Sequence, residues 1–534
     1  MKMEKIKLDD FYLKTFFIGL GICGLVWSFM IFQFWWGNHD WAYLINGVSF
    51  DSGLYEARYS QHLPTVLFLD GHVLPVLTII CALAMMVVLG ILIAVYLEIP
   101  KTLKNYLFLI FFMGLNPYNF VLFYYIYLSF VFIFWCVIGV CGLYLCEKPY
   151  KLYKILAGIV IFFLVLGSYP PNMALFLALF MIKRLIRYIE NKENFKQIVG
   201  QGLAFAGVVI GGYACFRGMY NVLAHFNKIN FGMYNIATKG AADLLRGIPY
   251  ESLQTVLQLF HFNTFIELSY CLLTAFLVFL GCWAVFLEKK KKLVLLLLVV
   301  GVFLASRVSF FIGANATSYF VRLEYFARLG LSIFALAVLM RSQKKIVRNV
   351  LIFSMIWLFF VFVKADFEIQ KIQYFGFKAA RQYQQRLVER IVLKKEFEFK
   401  DKYIALTFGN PSFRNRYLED KYKTLEMAEH SLFLHYDMVN LLFWESKVSP
   451  IVVGAGILED GKSVLHINVG ENKEKWLDLN YWKNNPENMQ NLRYWLYTEA
   501  NWNSFYVDDK YIIGVLSMPD FYKYREMVIN NLDK

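Results

Sequence analysis

Between Trp35 and His62 the chain sets an acid among aromatic rings and follows it, one loop later, with a guanidinium. Asp40 stands between Trp35-Trp36-Gly37-Asn38-His39 and Trp41. A carboxylate crowded by indole rings is partly desolvated, which raises its basicity, and such a group can take the proton from an attacking hydroxyl. The same spacing also suits a solvated loop acid, or an N-cap for an interfacial helix starting at Trp41. Arg58 offers a fork of donors that matches a phosphate at two points; its plainer role is to pair with Glu56 or a lipid headgroup. His39 and His62 have the chemistry to relay a proton or hold a metal ion. Glu56 and Asp51 are further acids of the loop, and Asp70-Gly71-His72 reads as a turn. Arg307 and Arg322 lie near the ends of later apolar runs. A charge at membrane depth is costly and usually faces a cavity or a buried partner. Arg307 is therefore a second phosphate candidate and Arg322 a third, with Glu324 close enough to neutralise it. Lys239 and Arg246 are weaker candidates for touching an anion.

The elements that must position these groups are membrane spans. Of 534 residues, 58% are hydrophobic and 18% charged, with a mean hydropathy of +0.47. Soluble chains run about 45–50% apolar and about 25% charged, so a polytopic membrane protein is the class that fits. The net charge of +14 does not point to nucleic acid. Lys and Arg gather in short loops between apolar runs, where they orient spans. The apolar run behind Lys2, Lys5, Lys7 and Lys14 is too long for a signal sequence and ends in Trp-Trp, so an uncleaved anchor is expected.

Charge and hydropathy together predict about eleven spans with the N-terminus inside. The first covers roughly 14–36 and delivers the outer loop 37–72; the second covers about 73–97. Residues 106–146 and 155–187 each read as two short spans, broken at Asn116-Pro117-Tyr118 and at Ser168-Tyr169-Pro170-Pro171-Asn172, because proline and its predecessor disfavour a continuing helix. A seventh span is expected at about 198–216, followed by a long outer loop over 217–266. Later spans are expected at about 268–287, 293–313, 325–340 and 349–364. Lys101 and Lys104, Lys148 to Lys154, Lys183 to Lys196, Glu288 to Lys292 and Arg341 to Arg348 mark the inner side.

From Asp366 the composition turns charged. Residues 1–365 are thus expected to form the multi-spanning domain and 366–534 a small extracytoplasmic α/β domain, with an amphipathic helix over 375–394 and strands at 402–408, 449–453 and 511–516. Trp476, Trp482, Trp495 and Trp502 sit there among Asn and Tyr; they suit sugar stacking or ordinary core packing. The eight cysteines all lie in or beside apolar segments, with no metal-ligand spacing and no disulfide framework.

Asn38-His39-Asp40-Trp41, followed by Gly53-Leu54-Tyr55-Glu56-Ala57-Arg58-Tyr59-Ser60-Gln61-His62-Leu63, resembles the first outer loop of the Gtr-type glucosyltransferases, which modify bacterial surface polysaccharide such as O-antigen and have GT-C architecture. Asp40 matches the second acid of that family's loop motif, His39 stands where the first acid would be, and Arg58 matches its basic element. The resemblance extends to the overall hydropathy, the proline-broken helices and the outer C-terminal domain. It implies an inverting transferase of the cell membrane that takes a sugar from a polyprenyl-phosphate donor on the outer face and passes it to a surface-glycan acceptor. The acid would activate the acceptor hydroxyl and the cations would hold the lipid-linked phosphate. Catalysis would then fall to Asp40 and His39, and substrate binding to Arg58, Glu56, His62, Arg307 and Arg322. No cofactor is required by this reading, although a divalent cation is compatible with it, and no phosphate-binding glycine loop is present.

Two other classes compete. A flippase or transporter for a lipid-linked glycan would place its charges near mid-membrane, often between internal repeats; the polar groups here crowd at the outer ends of spans, and no repeat is evident. A polysaccharide polymerase or ligase also uses an outer loop and arginines, but generally lacks a large outer C-terminal domain.

Overall fold

The computed structural model describes residues 9–33, 47–54, 58–123, 126–226, 265–313, 321–394, 404–408, 467–468, 479–509, 511–515 and 518–532. These residues form two compact units that divide between Lys371 and Ile372. The first is helical: α1 Asp10–Val26, α2 Ser28–Phe32, α3 Leu63–Leu69, α4 Pro75–Tyr96, α5 Leu103–Gly114, α6 Phe120–Phe123, α7 Ile126–Leu145, α8 Leu152–Ser168, α9 Met173–Ile189, α10 Phe195–His225, α11 Phe265–Phe286, α12 Lys292–Gly313, α13 Val321–Leu339, and the first half of α14 Lys345–Val392.

A span needs about 20 apolar residues to cross roughly 30 Å of hydrocarbon. Among the described residues α4, α7, α10 and the Lys345–Lys371 part of α14 are long and apolar enough. Shorter apolar stretches lie at Leu103–Gly114, Leu152–Ser168, Leu272–Phe286, Lys292–Ser306 and Leu329–Leu339. The chain is a membrane protein. Its helix starts follow local chemistry. Asp9 accepts from the Phe11 amide at 3.0 Å, and Asn194 and Gln197 close a capping box at the head of α10.

Both proline breaks form where the sequence places them, as 3₁₀ turns at Pro117–Asn119 and Pro170–Asn172. They are not surface turns. Asn116, Asn119, Ser168 and Asn172 are all buried, which irregular backbone in a membrane domain tolerates where protein or a cavity surrounds it. A further break was not foreseen. The first helix is interrupted at Trp27, with neither Pro nor Gly at the break. The indole Nε1 donates to Gly114 O at 2.9 Å. Gln370 of α14 supplies the missing partners, accepting from Met30 N and donating to Val26 O, each at 2.9 Å. The break is thus specified 340 residues away. Asp366, where the composition changes, lies inside α14 and is fully buried.

Opposite the breaks, the basic loops meet at one end of this unit. Lys101 pairs with Asp9, Arg187 with Glu98 at 2.9 Å, Arg341 with Glu190 at 3.0 Å, and Lys290 with Asn191. Glu98 is partly buried, which raises its pKa, yet hydrogen bonds from Lys192 and Arg187 hold the carboxyl down at about 2. Fully buried Arg184 bridges Glu147 and Glu193, the latter at 2.8 Å.

In the second unit, β1 Ile404–Phe408 pairs in parallel with β2 Ile467–Asn468 and with β4 Tyr511–Val515, while β3 Phe505–Val507 pairs antiparallel with β4. The order is β2-β1-β4-β3. Helices α15 Leu479–Asn484, α16 Pro486–Thr498 and α17 Met518–Leu532 complete the described part. Trp482 and Trp495 belong to the core with Tyr511, Ile513 and Phe521, so these two indoles pack rather than offer a face to sugar. Trp502 is exposed. Trp476 and the 449–453 strand expectation lie outside the described residues.

Candidate functional site

The described part of the first loop, from residue 47 on, is closed at its neck and folded onto the second proline break. Val48 N donates to Gly71 O at 2.7 Å. Asp70 and Gly71 both take positive φ, 50° and 75°, so Asp70-Gly71-His72 is the turn the sequence suggests. Asp51 is exposed and accepts from the Ser49 hydroxyl within a tight turn.

Inside this neck a second closure fixes Arg58. Its amide donates to Gly53 O at 2.8 Å, and a Cβ on residue 53 would stand 2.3 Å from Arg58 O. Glycine is required there because the two backbone segments touch. This gives the Gly-then-Arg spacing a physical reason that sequence alone did not supply.

The next two residues dock the loop on the end of α8. Ser60 N donates to Gly167 O at 3.2 Å and the Ser60 hydroxyl to Leu164 O. The Tyr59 ring stacks on Phe163, with centroids 5.5 Å apart, and its hydroxyl donates to Phe216 O at 3.1 Å. A Cβ on Gly167 would lie 2.4 Å from the Tyr59 ring. The Arg58 guanidinium is thereby carried over the ring of Tyr169, 5.6 Å from its centroid, and its Nη1 donates to Gln61 Oε1 at 3.3 Å. The sequence marks Tyr169 as part of the proline break, whose polar atoms could line a cavity; its place under Arg58 is set by the fold.

His62 caps the start of α3, buried and stacked on Tyr127 at 6.0 Å. Burial, with the Arg58 charge adding to it, pushes the imidazole down to about 4. It is neutral at physiological pH, and so serves as a hydrogen-bonding group rather than a cationic phosphate ligand.

The Pro170–Asn172 turn packs on α12 and also touches α13; the Pro117–Asn119 turn touches α13 as well. Those two helices carry Arg307 and Arg322. A Cβ on Gly330 of α13 would lie 2.7 Å from Ser306 Oγ of α12 and 3.0 Å from Ala178 Cβ of α9, so the residue preceding Arg307 sits deep in this junction. The backbone thus brings the Arg58 loop, both breaks and the Arg307 and Arg322 helices to one end of the unit. The side chains of Arg307 and Arg322 lie outside the described residues, as do Asp40, His39, Glu56, Lys239 and Arg246. Among the described residues no cluster of His, Cys, Asp and Glu has the arrangement to hold a metal ion.

The arrangement is a polar, aromatic-walled end of a membrane domain with a guanidinium held over a tyrosine. It can bind an anion beside an apolar chain. Compared with known families, the chain matches the model described as Glucosyl transferase GtrII over residues 38–363, more than half its length. No curated protein and no solved structure matches it.

Proposed function

The chain belongs to the GtrII glucosyltransferase family, and from that premise we propose a GT-C-type, inverting enzyme of the cell envelope that moves glucose from a polyprenyl-phosphate donor to a hydroxyl of a surface glycan on the outer face of the membrane. Asp40 is the general base. As the acceptor oxygen bonds to the anomeric carbon, its proton passes to Asp40. The bond from that carbon to the phosphate oxygen breaks, and the polyprenyl phosphate leaves with the electron pair. His39 assists the proton transfer. Arg58, with Arg307 and Arg322, holds the phosphate as its charge grows, while Glu56 and neutral His62 orient the sugar. Residues 1–365 cross the membrane about eleven times and 366–534 stand outside the cell.

The observation that carries this reading is the docking of Arg58 over Tyr169 at the proline break, within the stretch that the family model matches. A donor phosphate at that place would meet a guanidinium in a low-dielectric wall, where a charge pair is stronger than in water. Mass analysis of surface glycan from cells with and without the protein tests it. One added hexose per modified unit is expected only with the protein. Identical glycans would set the reading aside.

A further inference from the structure

At the opposite end of the first unit, where the loops 97–102, 287–291 and 340–344 meet, a cavity of about 700 Å³ opens between α5, α11, α13 and α14. Its rim carries Lys104, Lys344 and Arg348, all exposed. Among the described residues none of the three is in an ion pair, whereas the acids lining the cavity are largely spoken for. Glu98 is held by Arg187 and Lys192, and Glu190 by Arg341 and Lys192. Glu288 is the remaining acid of the lining. The balance left over is cationic. Lys344 also stands over the Trp283 ring, 5.8 Å from its centroid, an aromatic placement typical of the headgroup level.

A second, apolar groove of about 210 Å³ continues from this cavity along α5 and α14. Phe108 lines both, and Phe111, Phe112, Met355 and Phe359 line the groove. From Arg348 to Phe359 the helix rises about 17 Å at 1.5 Å per residue, close to the roughly 15 Å of hydrocarbon in one leaflet. A cationic cup leading into an aromatic groove one leaflet deep has the shape and charge of a single phosphate-headed lipid.

We propose that this cup and groove form a binding site for one anionic phospholipid, its phosphate among Lys104, Lys344 and Arg348 and one acyl chain laid along Phe108, Phe111 and Phe359. Basic pockets between membrane helices recognise lipid phosphates in this way. The site lies at the lysine-rich end, away from Arg58 and Tyr169, and does not depend on the reaction proposed above.

The test uses the full-length protein in phosphatidylcholine nanodiscs, titrated with phosphatidylglycerol and read by native mass spectrometry. The wild type should retain phosphatidylglycerol over phosphatidylcholine by at least about tenfold. K104Q/K344Q/R348Q should abolish that preference, and K104R/K344R should keep it. Removing two positive charges elsewhere, K289Q/K291Q, should leave it unchanged. The proposal is overturned if the triple variant keeps the wild-type preference, or if K289Q/K291Q loses as much, which would mean a diffuse surface charge. It is also overturned if a prenyl phosphate displaces all bound phosphatidylglycerol at equal concentration, which would assign the groove to a different lipid.

Discussion

Arg58 lies over Tyr169, 5.6 Å from the ring centroid, and the two residues come from segments that the sequence separates by more than a hundred positions. The loop between the first two long helices and a proline break in the middle of the domain are therefore one structural object. A cation over a ring at a partly desolvated site is worth about 0.5–2 kcal/mol. Tyr169→Leu should accordingly raise the donor KM roughly 2- to 30-fold with little change in kcat. Arg58→Ala should raise it further, and Arg58→Lys should not restore it, because a point charge lacks the two-point fork. Steady-state kinetics with a prenyl phosphate glucose would check the order; unchanged donor KM in Arg58→Ala would remove Arg58 from the phosphate site.

Gly53→Ala tests how Arg58 is held. The added Cβ would meet the Arg58 carbonyl at 2.3 Å, and backbone cannot yield as a side chain tip can. Transfer activity should fall at least about tenfold, since a misplacement of about 1 Å can cost on the order of a hundredfold in rate. The thermal midpoint should change little, because the closure lies on a loop rather than in the core. Wild-type turnover in Gly53→Ala would show that the 53–58 closure does not position the guanidinium.

How much of this was legible in the chain depends on the range over which each feature is specified. The proline breaks are local, and both formed at the residues that announce them. The gathering of basic loops follows charge alone, and Lys101, Arg187, Lys290 and Arg341 do meet partners at one end. The Trp27 break carries no local signal, because Gln370 provides its hydrogen bonds from the far side of the sequence. Tyr169 under Arg58 is likewise a tertiary fact. Burial of the breaks is not written in the sequence, because a polar Asn-Pro or Pro-Pro-Asn stretch suits a surface turn as well as a break that a membrane domain encloses. The tryptophans of the second unit show the reverse: Trp482 and Trp495 have the composition of a sugar platform and the position of a core.

His62 makes stability depend on pH. In the unfolded chain its imidazole titrates near 6.5, and in the folded protein burial and Arg58 push it down to about 4. Between those values the unfolded chain binds a proton that the folded one does not. Stability is therefore complete above about 6.5 and is lost as pH falls toward 4, by on the order of 3 kcal/mol from this residue. Thermal midpoints in detergent between pH 4 and 8 should drop on acidification for the wild type and drop less for His62→Gln. Equal slopes would contradict the neutral, buried assignment.

Arg184 anchors the opposite end. Its guanidinium is fully buried between Glu147 and Glu193, so Arg184→Ala removes the bridge and leaves Glu147 to Lys183 and Glu193 to Arg187. The loss should be about 1–3 kcal/mol, the scale of lost hydrogen bonds to charged groups, seen as a lowered unfolding midpoint. Arg184→Met combined with Glu193→Gln should recover part of it, because it also removes the buried carboxylate that has lost one of its two arginines. A single variant as stable as the wild type would mean that Lys183 and Arg187 suffice to hold these acids.

Asp40 carries the proposed proton transfer. Wild-type protein and Asp40→Asn, both shown by protease protection to be inserted in the same orientation, would be given a prenyl phosphate glucose and the surface glycan in proteoliposomes. The amide keeps the shape of the side chain and removes its capacity to accept a proton, so glucose transfer should fall by about 10²- to 10⁴-fold while donor binding stays near that of the wild type. Transfer at the wild-type rate by Asp40→Asn would contradict the assignment of the base, and with it the mechanism proposed for this loop.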